Sequence, residues 1–192
     1  MRIIGGTHRS RRFAPPKDSE TTRPITDRVK VALFDRLSDA GLVEEGAALD
    51  IFAGTGSLGL EALSRGSEHC TFIERDRDSR RILEENIETL GFGERANVLA
   101  VNALTTGWFA ALPRKPLRLV FCDPPYAISE EEPSRRQVLD VIAALIPILE
   151  PGGVVVLRTQ ELVVPEPVQG FMEPKRHAYG SMLLTFYQLP LP

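Results

Sequence analysis

The chain has 192 residues, of which 43% are hydrophobic and 26% are charged, and its formal net charge is −3. This composition is that of one ordinary globular domain that can bury its own core. Cys70 and Cys122 are too few for a disulfide-built secreted scaffold, and both lie in apolar runs, so we expect reduced core thiols. No apolar stretch is long enough to span a bilayer and the N-terminus has no apolar signal core, which predicts a soluble, cytoplasmic protein.

The net charge conceals an asymmetry along the chain. Residues 1–36 carry nine Lys or Arg against four Asp or Glu, whereas the remainder carries 14 against 22. A basic arm on an acidic body can place positive charge where a phosphate backbone passes, although a solvated, partly disordered terminus fits the same pattern equally well. We therefore divide the chain into a basic N-terminal arm, residues 1–25, and a single domain, residues 26–192.

The first predicted element of the domain is a short helix. Thr26 or Asp27 caps it, and Val29, Leu33 and Leu37 follow at a spacing of four. Five continuously apolar runs then predict buried strands: "ALDIF", "CTFIE", "NVLAV", "LRLVFC" and "VVVL". Because segments of helical period separate these strands, the chain is predicted to form an α/β fold with a parallel sheet and helices on both faces.

Three helices are predicted between the strands, and a hairpin follows them. The first helix, "SLGLEALSRG", ends at Gly66, and the second ends at Gly91. The apolar face of the second helix carries Ile82, Leu83, Asn86, Ile87 and Leu90, and that of the third carries Val138, Val141, Ile142 and Leu145 before Pro147 and "EPGG" end it. The tail has two extended stretches around Gly180 without room for a helix, so we expect a final hairpin that adds an antiparallel strand.

The stretch "LDIFAGTGSLG" links the first strand to the first of these helices. Gly54 and Gly56 allow a sharp turn and a close approach to a ligand, and Gly59 allows the helix to pack tightly on the strand. Glu74 ends the second strand 18 residues after Gly56, where its carboxylate can accept both hydrogen bonds of an adenosine ribose. The pattern predicts a nucleotide-like cofactor.

The glycine loop alone does not decide between cofactors, since an NAD-dependent dehydrogenase would also have it. Asp50 at the end of the first strand would repel a pyrophosphate and favours the ammonium and sulfonium of S-adenosylmethionine. Asn102 is equally compatible with an adenine contact and with a helix cap. The predicted cofactor-binding residues are Asp50, Phe52, Gly54, Thr55, Gly56, Glu74, Arg75, Asn102, Ala103 and Asp123.

The fourth strand ends in four residues that cannot continue it: Asp123, Pro124, Pro125 and Tyr126. Such residues face the ligand crevice at the carboxyl edge of a parallel sheet, and two prolines make the corner rigid and poor in donors. The Asp123 carboxylate and the Pro124 carbonyl can accept both hydrogens of a nucleobase amine, while Tyr126 stacks on the base. These four residues are the predicted catalytic residues. His8, His69 and His177 are scattered, and no metal site is predicted.

Several stretches resemble known enzymes. "LDIFAGTGSLGLEALSRG", "FIERD" and "VFCDPPY" resemble the glycine loop, ribose acid and amine-binding corner of Rossmann-like class I S-adenosylmethionine-dependent amino methyltransferases. "MRIIGGTHRSRR", "RPITDRVKVALFDRL" and "AYGSMLLTFY" resemble the opening, the pre-sheet motif and the closing strand of the RsmD family. The chain departs from that family at Asn102, where an acid is more usual, and at Ile25, where a small polar residue is more usual.

The resemblance implies an enzyme that methylates the N2 amine of a guanine in 16S ribosomal RNA of the small subunit. It also implies a seven-stranded sheet of order 3-2-1-4-5-7-6 and an N-terminal segment that closes over cofactor and RNA. The substrate would be 16S rRNA in the small subunit or an assembly intermediate, with the guanine unpaired or flipped out. We expect a monomer.

With RNA as the substrate, basic side chains of the arm become candidate phosphate contacts and Phe13 a candidate stacking platform. The predicted RNA-binding residues are Arg9, Arg11, Arg12 and Arg23, with Lys17 a further candidate, while Thr26 and Asp27 would order the loop near the crevice. A DNA amino methyltransferase acting on adenine N6 or cytosine N4 is the alternative, but the chain after Tyr126 leaves no room for a target-recognition segment. A non-catalytic RNA-binding module is a third possibility.

Overall fold

The structure is a computed structural model that describes residues 1–17 and 25–192. Within these ranges the principal elements are α1 (Asp27–Asp39), β1 (Ala47–Ile51), α2 (Ser57–Arg65), β2 (His69–Ile73), α3 (Arg77–Leu90), β3 (Ala96–Leu99), β4 (Leu117–Cys122), α4 (Tyr126–Glu130), α5 (Glu132–Ala144), β5 (Leu149–Gln160), β6 (Lys175–Tyr179) and β7 (Met182–Gln188). Strands and helices alternate from β1 to β5, as the apolar runs predicted.

The seven strands form one sheet in the order β3-β2-β1-β4-β5-β7-β6, which confirms the predicted order. The first five strands pair in parallel, whereas β7 runs antiparallel to both β5 and β6. Parallel pairing aligns the carboxyl ends of β1, β2 and β4 at one edge of the sheet. The predicted α/β class and the single antiparallel strand are therefore both correct.

Helices cover both faces of the sheet. On one face, α1, α2 and α3 pack on the sheet through Leu33, Leu60 and Leu83, which are fully buried. On the other face, α5 contributes Val138 and Ile142 to a second core. Neighbouring residues of β4 alternate between the two cores, because successive side chains of a strand point to opposite faces.

The predicted helix ends and faces are confirmed. Thr26 caps α1 by accepting a hydrogen bond from Val29 N at 3.4 Å. Helix α2 ends before Gly66 and α3 before Gly91, and the five residues predicted for the inner face of α3 are its buried ones. Cys70 and Cys122 are buried free thiols, also as predicted.

Two elements differ from the prediction. Strand β5 begins at Leu149, so that "EPGG" lies within the strand, where its pairing with β4 is irregular between Leu117 and Leu119. The second difference is α4, a short helix that begins at Tyr126 directly after the two prolines. Proline has no N–H, so the two prolines cannot continue the hydrogen bonding of β4. The first turn of a helix does not need these N–H groups, so the prolines can lead directly into α4.

The described part of the N-terminal segment, residues 1–17, packs on the domain. Met1 and Phe13 are joined across an antiparallel turn, with Phe13 N donating to Met1 O at 3.1 Å. Phe13 is only 6% exposed in the core, so its predicted role as an exposed stacking platform is wrong. The boundary at residue 25 stays a prediction.

The turn of this segment is attached to α2 by a buried acid. Glu61 is fully buried and accepts hydrogen bonds from Ile4 N and Gly5 N, each at 2.8 Å. It also forms ion pairs with Lys30 at 3.4 Å and with Arg65 at 2.9 Å. Burial lowers the pKa of Lys30, although Glu61 opposes that shift.

In the described ranges, no helix is both long and apolar enough to cross a membrane.

Candidate active site

A crevice with a volume of 480 Å³ opens at the carboxyl edge of the sheet, where ligands bind in open α/β folds. It brings together residues that were predicted from three separate motifs: the glycine loop, the ribose acid and the proline corner. The predicted site residues that line it are Phe52, Gly54, Thr55, Glu74, Arg75, Ala103, Asp123, Pro124, Pro125 and Tyr126.

Glu74 holds the glycine loop through main-chain amides. Its Oε2 accepts a hydrogen bond from Gly54 N at 2.8 Å, and its Oε1 accepts one from Asp76 N at 2.7 Å. Each carboxylate oxygen has a second lone pair, so further donors in the crevice can still bind. Burial raises the pKa of Glu74, although both of these amides stabilise the charged form.

Gly54 is the point of the loop where a ligand can approach the backbone. Its φ is +56°, and a Cβ placed there would meet nothing within 4 Å, so the space beside it is open. Phe52, also in the crevice wall, has a φ of 63°, which is a rare conformation for an aromatic residue. Such strain persists where the surrounding structure imposes it, and it is concentrated at functional sites.

Asp50, Gly56 and Asn102 are predicted site residues that the structure does not bring to the described crevice wall. Asp50 is 1% exposed and its Oδ2 accepts a hydrogen bond from Gly59 N at 2.8 Å, which fixes the first turn of α2 from below. Burial raises its pKa well above the usual range. Gly56 faces Leu83 in the core, and Asn102 Oδ1 accepts a hydrogen bond from Leu104 N at 3.1 Å within a turn. Among the described residues no helix begins at this turn, so Asn102 is not a helix cap, and its contact with an adenine stays a prediction.

The corner after β4 contains an ion pair that the sequence analysis missed. Asp123 Oδ1 accepts a hydrogen bond from Arg158 Nε at 2.5 Å, and the two side chains are 18% and 8% exposed. Burial raises the pKa of Asp123, and the Arg158 guanidinium opposes this shift. The signal was a cation at the carboxyl end of an apolar strand, since Leu157 pairs with Cys122 and Arg158 follows at the level of Asp123.

The two prolines of the corner have different roles. The Pro125 carbonyl accepts hydrogen bonds from Ile128 N at 2.9 Å and Ser129 N at 3.3 Å, the first turn of α4. The Pro124 carbonyl is therefore the one left as the predicted acceptor for a substrate. Tyr126 lines the crevice, and within the described residues its buried hydroxyl has no hydrogen-bond partner.

The N-terminal segment forms a further wall of the crevice, through Met1, Pro16, Lys17 and Ile25. The buried Asn86 of α3 joins this wall to the glycine loop. Its Oδ1 accepts from Ala14 N at 2.8 Å, and its Nδ2 donates to Ala14 O and to Thr55 O, each at 3.0 Å. The Asn86 side chain thus fixes the distance between the N-terminal segment and the glycine loop.

The basic side chains predicted to contact RNA are partly described. Arg9, Arg11 and Arg12 are exposed on the N-terminal turn, and Arg23 lies outside the described residues. Asp27 forms an exposed ion pair with Arg2 at 2.8 Å. Across the described ranges, no group of three or more His, Cys, Asp or Glu side chains is arranged to hold a metal ion.

The chain is similar to known proteins over nearly its whole length. Residues 1–188 match the family model described as "Conserved hypothetical protein 95". "Putative rRNA methyltransferase YlbH" of Bacillus subtilis is 32% identical over 98% of both chains. "Ribosomal RNA small subunit methyltransferase D" of Escherichia coli K12 is 44% identical over 126 residues, which are 66% of this chain and 60% of that one.

Solved structures agree with the sequence matches. The structure of "Putative methyltransferase yhhF" from Escherichia coli superposes with a TM-score of 0.80 at 31% identity, over 100% of this chain and 99% of that chain. The family match covers nearly the whole length, and the relatives include proteins named small subunit methyltransferase D. The chain therefore belongs to the family described as Conserved hypothetical protein 95, the RsmD family that its motifs resemble.

Proposed function

We propose that this protein transfers a methyl group from S-adenosylmethionine to the exocyclic N2 amine of a guanine in 16S rRNA of the small ribosomal subunit. One observation carries the proposal. A single crevice contains both the glycine loop with Glu74 and the rigid acceptor corner from Asp123 to Tyr126. Relatives named as ribosomal RNA methyltransferases support the choice of substrate.

The residues on the glycine-loop side fit the proposed cofactor. The open space beside Gly54 admits a ligand against the backbone, and Glu74 presents carboxylate oxygens to a ribose diol. The apolar side chains Ile73, Val101 and Ala103 provide a wall suited to an adenine ring. When bound, S-adenosylmethionine supplies an electrophilic methyl group, whose S–C bond breaks as the N–C bond forms and whose bonding electron pair stays on sulfur.

The corner side would hold the amine that takes the methyl group. An aromatic amine is a poor nucleophile because its lone pair is delocalised into the ring. By accepting its two hydrogens, the Asp123 carboxylate and the Pro124 carbonyl would direct the nitrogen lone pair out of the ring plane, and Asp123 is placed to take the proton that the nitrogen loses. Catalysis would thus come from positioning and preorganised acceptors.

The exposed Arg9, Arg11 and Arg12 would contact phosphates beside the crevice. They lie on the segment whose other residues, among them Met1 and Lys17, form a crevice wall. A base edge hidden by pairing could not reach Asp123, so the guanine would be unpaired or flipped out. The partner would be 16S rRNA in the small subunit or an assembly intermediate, bound by a monomer in the cytoplasm.

The test is transfer of radiolabelled methyl groups from S-adenosylmethionine to small ribosomal subunits, protein-free rRNA and DNA in parallel, followed by nucleoside identification. N2-methylguanosine in 16S rRNA is the expected product. Label in DNA alone, as N6-methyladenine or N4-methylcytosine, would replace the proposal by a DNA amino methyltransferase. Binding of RNA without transfer to any acceptor would leave a non-catalytic RNA-binding module.

A further inference from the structure

We propose that Arg158 is a positioning residue for methyl transfer. It orients two side chains of the acceptor corner, the Asp123 carboxylate and the Tyr126 ring. The inference rests on the proposed function, because it concerns the same crevice. It goes beyond that function by assigning a role to a side chain outside the "DPPY" motif.

Three contacts carry the inference. Arg158 Nε donates to Asp123 Oδ1 at 2.5 Å, and the Arg158 guanidinium carbon lies 5.9 Å from the centroid of the Tyr126 ring. Another guanidinium nitrogen, Nη1, contacts Met182 Sδ of β7 at 3.6 Å. The guanidinium is thus held from β7 while it contacts both side chains of the corner. All three of Arg158, Asp123 and Tyr126 line the crevice.

This arrangement fits substrate positioning better than stabilisation of the fold. A buried ion pair gains little stability over a well-packed apolar pair, because both charges lose their hydration. It does fix geometry, since a planar guanidinium allows a carboxylate few orientations. Arg158 engages Oδ1 of Asp123, which leaves Oδ2 as the oxygen available to a substrate N–H.

The charge of Arg158 also matters to the corner. The groups that interact electrostatically with Asp123 are Asp50 on β1, the Cys122 thiol beside it in the chain and Arg158 on β5, and the Tyr126 ring of α4 lies next to Arg158. Burial raises the pKa of Asp123, and Arg158 is the cation that lowers it. A protonated Asp123 would present a donor to the amine. Without the guanidinium, the carboxylate would therefore lose its acceptor role at a higher pH.

Arg158→Gln tests the inference through steady-state kinetics over a range of pH. We expect kcat to fall by about 10- to 100-fold while the KM for S-adenosylmethionine changes by less than about threefold. The acidic limb of the pH profile should move to higher pH. Arg158→Lys keeps the charge without the planar fork, so it should keep the wild-type acidic limb and recover only part of kcat.

Arg118→Gln is the matched control. Arg118 lies on β4 and forms a similar, half-buried ion pair with Glu150 at 2.5 Å, outside the described crevice wall. This variant should leave kcat and the acidic limb unchanged. If it shifted the profile as Arg158→Gln does, loss of any internal ion pair would explain the effect and the inference would be wrong.

A measurement without RNA separates this inference from the proposed function. Carbon-13 NMR of protein labelled at the aspartate carboxyls follows the ionisation of Asp123, whose signal is assigned with Asp123→Asn. Its midpoint should rise by about one pH unit or more in Arg158→Gln. An unchanged midpoint, or wild-type kcat in Arg158→Lys, overturns the inference. If the midpoint shifts but the wild type methylates no nucleic acid, the proposed function fails while the pairing stands. If Arg158→Gln fails to fold, kcat of Arg158→Lys decides.

Discussion

The glycine loop and the proline corner hold their acids in opposite ways. In the loop, Asp50 and Glu74 accept hydrogen bonds from main-chain amides of Gly59, Gly54 and Asp76. In the corner, two prolines remove the amides, and Asp123 is held by the side chain of Arg158 instead. The loop carboxylates and the nearby main chain thus hold each other in place, whereas the orientation of the Asp123 carboxylate depends on the side chain of Arg158, which is distant in the sequence.

This difference suggests that the two regions serve different steps, binding of the methyl donor and transfer of the methyl group. The loop acids shape a backbone that can approach a ligand closely, so we expect changes there to alter binding of the methyl donor or stability of the fold. The corner acid has an oxygen free for a substrate, so we expect changes there to alter transfer. The four predictions below test this division, from the largest expected effect to the smallest.

Asp123→Asn should reduce kcat for methyl transfer by about 10²- to 10³-fold, because the amide replaces an acceptor oxygen with a donor at the substrate amine. Calorimetry should show the affinity for S-adenosylhomocysteine within about threefold of wild type. Asp140→Asn, an exposed change on α5, is the control and should keep wild-type kcat. A large loss of donor affinity in Asp123→Asn would mean that the two halves of the site are not separable.

Gly59→Ala tests the loop half through stability. A Cβ on Gly59 would lie 2.3 Å from the Phe72 ring and 2.7 Å from Cys70 Sγ, and both side chains are fully buried. Overpacking of this kind lowers the free energy of unfolding by about 1–3 kcal/mol, measurable by urea denaturation. Gly93→Ala, where a Cβ would meet nothing within 4 Å, should be close to neutral. Equal midpoints for the two variants would contradict tight packing of α2 on β2.

The same contrast explains what the sequence could predict. The glycine loop is a local motif. Asp50 accepts a hydrogen bond from an amide 9 residues away, and Glu74 accepts one from an amide 20 residues away, so spacing alone located Glu74 and Gly59. Strand order followed from the family resemblance and is confirmed. Spacing also placed Asp50 at the right strand end, but it could not show that this side chain turns under the loop rather than into the crevice.

Long-range contacts account for the rest. Arg158 reaches Asp123 across 35 residues, and the pairing depends on the register of β4 and β5, which apolar runs do not specify. The position of Phe13 was missed for a similar reason. Charge left open whether the arm meets a phosphate backbone or is a solvated terminus, and it could not show that Glu61 and Asn86, 56 or more residues further along the chain, hold its backbone on the domain.

Glu74→Gln should weaken S-adenosylmethionine binding by about tenfold near neutral pH. A glutamine cannot accept from both Gly54 N and Asp76 N, because its NH2 group would face one of these donors. Burial raises the pKa of Glu74, so in the wild type the charged form, and with it donor affinity, is lost at a higher pH than for an exposed glutamate as the pH falls. Calorimetry from about pH 5 to about pH 8 should show this loss in the wild type and not in Glu74→Gln.

The smallest effect is expected outside the crevice, where RNA affinity rather than chemistry changes. Arg12→Gln should weaken binding to small-subunit RNA by about threefold and lower the slope of log affinity against log salt by about one, because one phosphate contact is lost. Arg136→Gln, a change at another exposed arginine, on α5 at the opposite face of the sheet, should leave both quantities unchanged. Fluorescence anisotropy at several salt concentrations measures both. Equal salt slopes for the two variants would mean that RNA does not pass over the N-terminal turn, even if Asp123→Asn abolishes transfer.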